Sequence, residues 1–170
     1  MSSINIVMKD GYRMQMLDAL KKRLHNNRLI VQKEDGYVEE EVFSFYPPAS
    51  KEKIESLPSN VPAEYISFLS EHNGAVLFEH PENGGGTHLF SVDEIIEYKE
   101  AWNCPEWFTP IGIGIDGCWI VCQYDKGLNE YFMWIGEFLN FEDDFEKLPY
   151  DFSTWLERFI ICQGCSFWEW

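Results

Sequence analysis

The amino-acid sequence predicts a single α+β domain in which a mostly antiparallel central sheet is wrapped by four to five helices. Three observations carry this. Short runs rich in β-formers, IGIGI (111–115), CWIVCQY (118–124) and YFMWIG (131–136), follow one another with only turn-formers between them, as antiparallel neighbours do. Helical segments with recognisable start signals stand before and after these runs. The chain of 170 residues is long enough to bury one core without disulfides or metals, and 1–170 reads as one unit with no repeat or low-complexity linker.

Each element has its own reason. Tyr12, Met16, Leu20 and Leu24 recur every four residues between Lys9 and His25, with Lys21, Lys22 and Arg23 in the last turns, so a helix is predicted there. RLIVQ (28–32) and YVEEEVFSF (37–45) flank Lys33-Glu34-Asp35-Gly36 and predict a hairpin. Pro47 and Pro48 end it, and Ser50 can cap a short helix reaching Leu57. Pro62 suits the first turn of a helix whose face is Tyr65, Phe68 and Leu69, and Gly74 suits its C′ position. Strands are expected at 75–78 and 88–90, with a glycine-rich loop at 81–86 between them. Ser91-Val92-Asp93-Glu94 is a capping box opening a helix to Asn103. Phe152, Trp155, Leu156, Phe159 and Ile160 give a terminal helix a wide apolar face, capped by Asp151 or Ser153, which has to pack on the sheet.

Charge narrows the function. The chain carries −16, but residues 1–33 hold seven Lys or Arg and two acids, net +5, so residues 34–170 carry −21. Such a body repels nucleic-acid backbones and anionic lipid and steers a basic partner toward itself. Aromatics make up 16% of the chain, more large rings than one core of this size needs, which leaves some for a groove or surface. No secretion signal or membrane-length apolar stretch is visible, and five cysteines suit reduced thiols, so a cytoplasmic location is expected.

The motifs that could carry chemistry lack their required context. Gly112-Ile113-Gly114-Ile115-Asp116-Gly117 spells G-x-G-x-x-G, yet a strand follows it where a dinucleotide site needs a helix, so a bulge and a hairpin turn are the better reading. Gly84-Gly85-Gly86-Thr87 lacks the Lys-Ser/Thr of a phosphate loop. Cys118 and Cys122 are four apart on a strand and cannot easily complete a zinc site with Cys162 and Cys165, and that second pair follows its helix where a redox motif precedes one. His25, His72, His80 and His88 form no protease or hydrolase pattern, and His72, at a helix end, is expected to favour the imidazolium. No catalytic residue, cofactor or metal is therefore expected. The candidate partner contacts are the acidic run Glu142-Asp143-Asp144 with Glu146, the turn residue Asp116, and the aromatic tail residues Trp168 and Trp170.

Leu57-Pro58 followed by Tyr65, Phe68-Leu69 and Asn73-Gly74, then Pro110-Ile111-Gly112 with Gly117, then Phe152-Ser153-Thr154-Trp155-Leu156, resemble in order and spacing the motifs of the SUKH superfamily of Smi/Knr-like proteins. The resemblance covers residues 50–163, leaving 1–49 as a helix-plus-hairpin extension. It implies an α+β fold and, in the bacterial type, an immunity protein that neutralises a toxin by occluding it. The alternative it implies is a non-catalytic scaffold or regulator acting on endogenous partners, as in cell-wall regulation. The matched positions Leu57, Pro58, Tyr65, Leu69, Asn73, Gly74, Gly112, Gly117 and Trp155 read as core, cap and turn positions. With the acidity after residue 33, the expected partner is a basic, nuclease-type toxin.

Overall fold

The computed structural model describes residues 14–33, 35–137 and 144–170. Its frame is one eight-stranded, wholly antiparallel sheet in which every strand pairs with its sequence neighbours, in the order β1 to β8. The strands are β1 (Arg28–Gln32), β2 (Val38–Phe45), β3 (Ala75–Glu79), β4 (Thr87–Leu89), β5 (Phe108–Ile113), β6 (Trp119–Asp125), β7 (Glu130–Gly136) and β8 (Phe145–Lys147). Five helices accompany them: α1 (Gln15–Arg23), α2 (Lys51–Glu55), α3 (Ala63–Glu71), α4 (Val92–Ala101) and α5 (Phe152–Ile161). The first hairpin is part of this sheet: β2 pairs with β3, and Phe43 meets Phe78 edge-on with ring centroids 4.8 Å apart.

The strand alternation sorts side chains onto two faces. Ile120, Cys122, Met133 and Ile135 join the main core, which holds Tyr65, Phe68, Leu69, Phe152, Trp155, Leu156 and Phe159 from α3 and α5. Phe108, Val121 and Phe145 form a smaller cluster with Trp119 and Trp134. The predicted caps are in place. Ser91 accepts the Glu94 N–H while the Glu94 carboxylate accepts the Ser91 N–H, and Asp151, not Ser153, caps α5 by accepting the Thr154 N–H at 2.7 Å.

Several expectations need correction. Tyr12 lies outside the described residues, and the core side of α1 is Met14, Leu17 and Leu20, whereas Met16 is only half-buried. At about 100° per residue, Met14 and Leu20 lie about 60° to either side of Leu17, whereas Met16 stands about 100° from it, at the border of that face. Strand β8 was not expected, because its only apolar residue is Phe145 and acids flank it. It exists through pairing of Trp134 with Lys147 and Gly136 with Phe145. Pro62 is the N-cap of α3 and not part of its first turn, and Gly74 is not the C′ residue, since the helix ends at His72. Gly74 takes φ +97°, and a Cβ there would lie 3.0 Å from the Leu89 carbonyl oxygen. The glycine therefore lets this turn dock on the β4–α4 junction.

His72 also departs from expectation. Burial and the neighbouring Lys21 ammonium hold its pKa below the ordinary value. Lys21 Nζ lies 2.7 Å from Nε2, and Nδ1 lies 3.3 Å from the Tyr46 carbonyl oxygen. One neutral tautomer satisfies both, with Nε2 accepting from Lys21 and Nδ1–H donating to Tyr46. A depressed folded-state pKa means that the unfolded chain takes up a proton first as pH falls. Stability supplied by neutral His72 is present above about pH 6.5 and is lost below it. In urea melts at stepped pH, His72→Gln is expected to flatten the decline between about pH 6.5 and 5, and an unchanged slope would refute this role.

A candidate partner-binding surface

In an antiparallel meander, alternate connections share one end of the sheet. The β1–β2, β3–β4, β5–β6 and β7–β8 connections are thus gathered at one end, and exposed carboxylates dominate it. Asp35, Glu82, Asp116, Glu137 and Asp144 lie on these connections, and Glu169 of the C-terminal tail joins them. Proximity shows in the Cys118 thiol, pushed up to about 11 by burial and then by the carboxylates of Asp116, Glu137 and Glu169. The turn holding Asp116 is rigid: Gly114 donates to the Cys118 carbonyl at 2.7 Å, and Asp116 Oδ1 accepts the Cys118 N–H at 3.0 Å. Gly117 completes it at φ +83°, and the bulge falls between Pro110 and Gly112.

Lys33, the only Lys or Arg among the described residues of these connections, is already engaged. Lys33, at the end of β1, forms an ion pair with Glu41, which is only 2% exposed. The end of the sheet therefore keeps an uncompensated negative field, which attracts a basic surface at long range. Exposed apolar side chains stand among the acids: Tyr37 and Val38 on the first hairpin, Ile115 beside Asp116, and Trp170, which is 79% exposed. Acidic groups with isolated large apolar residues suit desolvated anchors inside an electrostatic rim. A second acidic groove, of about 430 Å³, lies at the opposite end around Glu64, Glu130 and Asp151 with Tyr131 and Tyr150.

The predicted contact residues fall out as follows. Asp116 and Asp144 lie on two of the connections at the acidic end, β5–β6 and β7–β8; Glu142 and Asp143 lie outside the described residues. Glu146 is exposed on β8, opposite Ile135. The tail divides: Trp168 packs at 6.1 Å from Trp155 and 5.2 Å from Phe167, while Trp170 faces solvent. Sequence reasoning missed Glu137, Glu169, Ile115 and Val38, whose shared location depends on the meander rather than on any local pattern. Among the described residues, no group of three or more His, Cys, Asp or Glu could hold a metal ion, and no helix is long and apolar enough to cross a membrane.

Four of the motif residues, Tyr65, Asn73, Gly74 and Gly112, meet elsewhere, at the joint between β4 and β5. This is the sheet's narrowest pairing, with two register pairs, His88–Ile113 and Leu89–Gly112. The Tyr65 hydroxyl, fully buried, lies 2.7 Å from the Phe90 carbonyl oxygen and 3.0 Å from that of Ile111, straddling both strands. Asn73 Oδ1 accepts the Val92 N–H at 2.9 Å, so the Asn-Gly pair caps α4 from outside. Leu69 and Trp155 are fully buried, Leu57 packs on the core edge, and Pro58 lines a shallow groove beside α4.

This constellation coincides with a family match. The SMI1 / KNR4 family (SUKH-1) model aligns with residues 48–158, from just before α2 into α5. The chain belongs to the SUKH-1 family. Its SUKH-1 segment is close to the 50–163 stretch that carries the motifs, and β1 and β2 extend the sheet beyond it. The chain is also similar to two proteins of Bacillus subtilis (strain 168). It is 28% identical to the uncharacterized protein YnaB over 138 residues, covering 78% of this chain and 90% of YnaB. It is 33% identical to the uncharacterized protein YobM over 122 residues, covering 65% of this chain and 62% of YobM.

Proposed function

We propose that this SUKH-1 chain is a non-catalytic immunity protein that acts in the cytoplasm, binding and occluding a cognate toxin domain with a basic, nuclease-type surface. The observation that carries the reading is the gathering of Asp35, Glu82, Asp116, Glu137, Asp144 and Glu169 at one end of the sheet, with Lys33 engaged by buried Glu41. Family membership supports a protein partner. The local charge supports a basic one, and argues against nucleic acid or anionic lipid. Binding of this kind works by area and field: the acids speed encounter, and Ile115 and Trp170 supply apolar contact once water is expelled.

The experiment is co-expression with the toxin domain encoded by the neighbouring gene. The chain is expected to restore growth and to co-purify with that domain, at a one-to-one ratio if occlusion is direct. Failure of growth rescue together with absence of a complex at low salt would overturn the proposal.

A further inference from the structure

The sequence Cys162-Gln163-Gly164-Cys165 closes α5, and its geometry has a use that partner binding does not require. The Gly164 N–H donates to the Phe159 carbonyl at 3.0 Å and the Gln163 N–H to that of Ile160 at 3.1 Å, the paired bonds of a Schellman closure. Gln163 takes φ 55° and Gly164 φ 83°, and the Cys165 N–H donates to the Cys162 carbonyl at 3.1 Å. The two cysteines are thus the first and fourth residues of a hydrogen-bonded turn, which brings their Cα atoms within about 7 Å. A disulfide needs roughly 4.4–6.8 Å. We propose that Cys162 and Cys165 are a modification site, a dithiol held ready to close into an intramolecular disulfide by exchange with a low-molecular-weight disulfide.

The turn is fixed by contacts other than the thiols. A Cβ on Gly164 would lie 2.6 Å from the Phe78 ring, so backbone and ring are in direct contact, and Gln163 Oε1 accepts the Gln32 N–H of the edge strand at 2.8 Å. Closure therefore asks little of the backbone. Access is also provided: both cysteines are half-buried and line an open groove of about 400 Å³ together with Lys33 and Trp170. Neither Cys104 nor Cys122 has a cysteine three residues away in a turn. Cys122 is fully buried, and burial pushes Cys104 up to about 11.

The chemistry balances with oxidised glutathione as co-reactant. One cysteine thiolate attacks the glutathione disulfide, forming a mixed disulfide and releasing one glutathione thiolate. The second cysteine thiolate attacks the protein sulfur of that bond, forming the Cys162–Cys165 bond and releasing the second glutathione. The protein loses two electrons and two protons, and two glutathione thiols carry them.

The test equilibrates the full chain in glutathione buffers of graded oxidation, folded and in guanidinium, followed by alkylation and peptide mass mapping. In the folded chain the Cys162–Cys165 cross-link is expected to reach half-occupancy at an oxidised-glutathione excess at least about tenfold lower than in the unfolded chain. Cys162→Ser and Cys165→Ser should each replace the cross-link with a mixed glutathione disulfide. A folded midpoint less than tenfold lower, or glutathione adducts on the wild-type pair without a cross-link, would overturn the assignment. Neither result depends on whether a toxin partner exists.

Discussion

Replacing Trp155 by alanine is expected to lower the unfolding free energy by about 4 kcal/mol, the range for deleting a large buried ring. Trp155 is fully buried and stacks on Phe159 at 5.2 Å with the rings nearly parallel, and it also meets Phe152 and Trp168. The cavity would open where α5 lies on the sheet and where the tail folds back, so neither neighbour can collapse into it without losing its own contacts. A shift of about 10 °C in melting temperature corresponds to this loss for a chain of this size. Trp155→Phe sharpens the test. The indole Nε1–H is buried without a hydrogen-bond partner among the described residues, so phenylalanine removes that donor while keeping most of the ring. Trp155→Phe should therefore retain at least about 2 kcal/mol of what alanine loses. Equal losses for the two substitutions would contradict the packing account.

The second large effect is expected at Gly112. A Cβ there would lie 2.5 Å from the His88 carbonyl oxygen, a backbone atom that cannot step aside without parting β4 from β5. Two register pairs join those strands, and the Tyr65 hydroxyl bridges their carbonyls, so the strain falls on the sheet's thinnest joint. Gly112→Ala is expected to cost about 3 kcal/mol, at the upper end for overpacking. Gly127→Ala is the control, since the nearest atom there is Asp125 Oδ1 at 3.3 Å, a side-chain atom accepting the Gly127 and Leu128 N–H groups, where a few tenths of an ångström of give relieves the contact. Denaturant melts of both variants decide it: comparable stability of the two would show that close strand approach is not what requires glycine at 112.

These residues also show how far the sequence could be read. Ser91, Glu94 and Asp151 were legible because a cap is a local event: the side chain bonds a backbone group three residues away. The hairpin at Asp35-Gly36 and the bulge near Gly112 were legible for the same reason. Gly74, Gly112 and Tyr65 stood out in the sequence, but their partners, the Leu89, His88 and Ile111 carbonyl oxygens, belong to strands brought alongside only by the fold. Strand β8 was hidden because pairing, not composition, makes it a strand. The acidic end was half-legible. Asp116 is visible as a charge, yet its convergence with Glu137 and Glu169 around Cys118 depends on the up-and-down strand order and on where the tail folds back.

The central claim, that the acidic end of the sheet is the binding surface, is tested most directly by affinity for the neighbouring-gene toxin domain with charges reversed at each end of the sheet. Asp116→Lys with Asp144→Lys is expected to weaken binding at least about tenfold at low salt, and raising salt from about 50 mM to about 500 mM should erode the wild-type advantage. Glu130→Lys, at the opposite end, should leave affinity within about twofold of wild type. A complex that tolerates the first pair and is lost with Glu130→Lys would contradict the account and place the interface at the groove around Glu64 and Asp151.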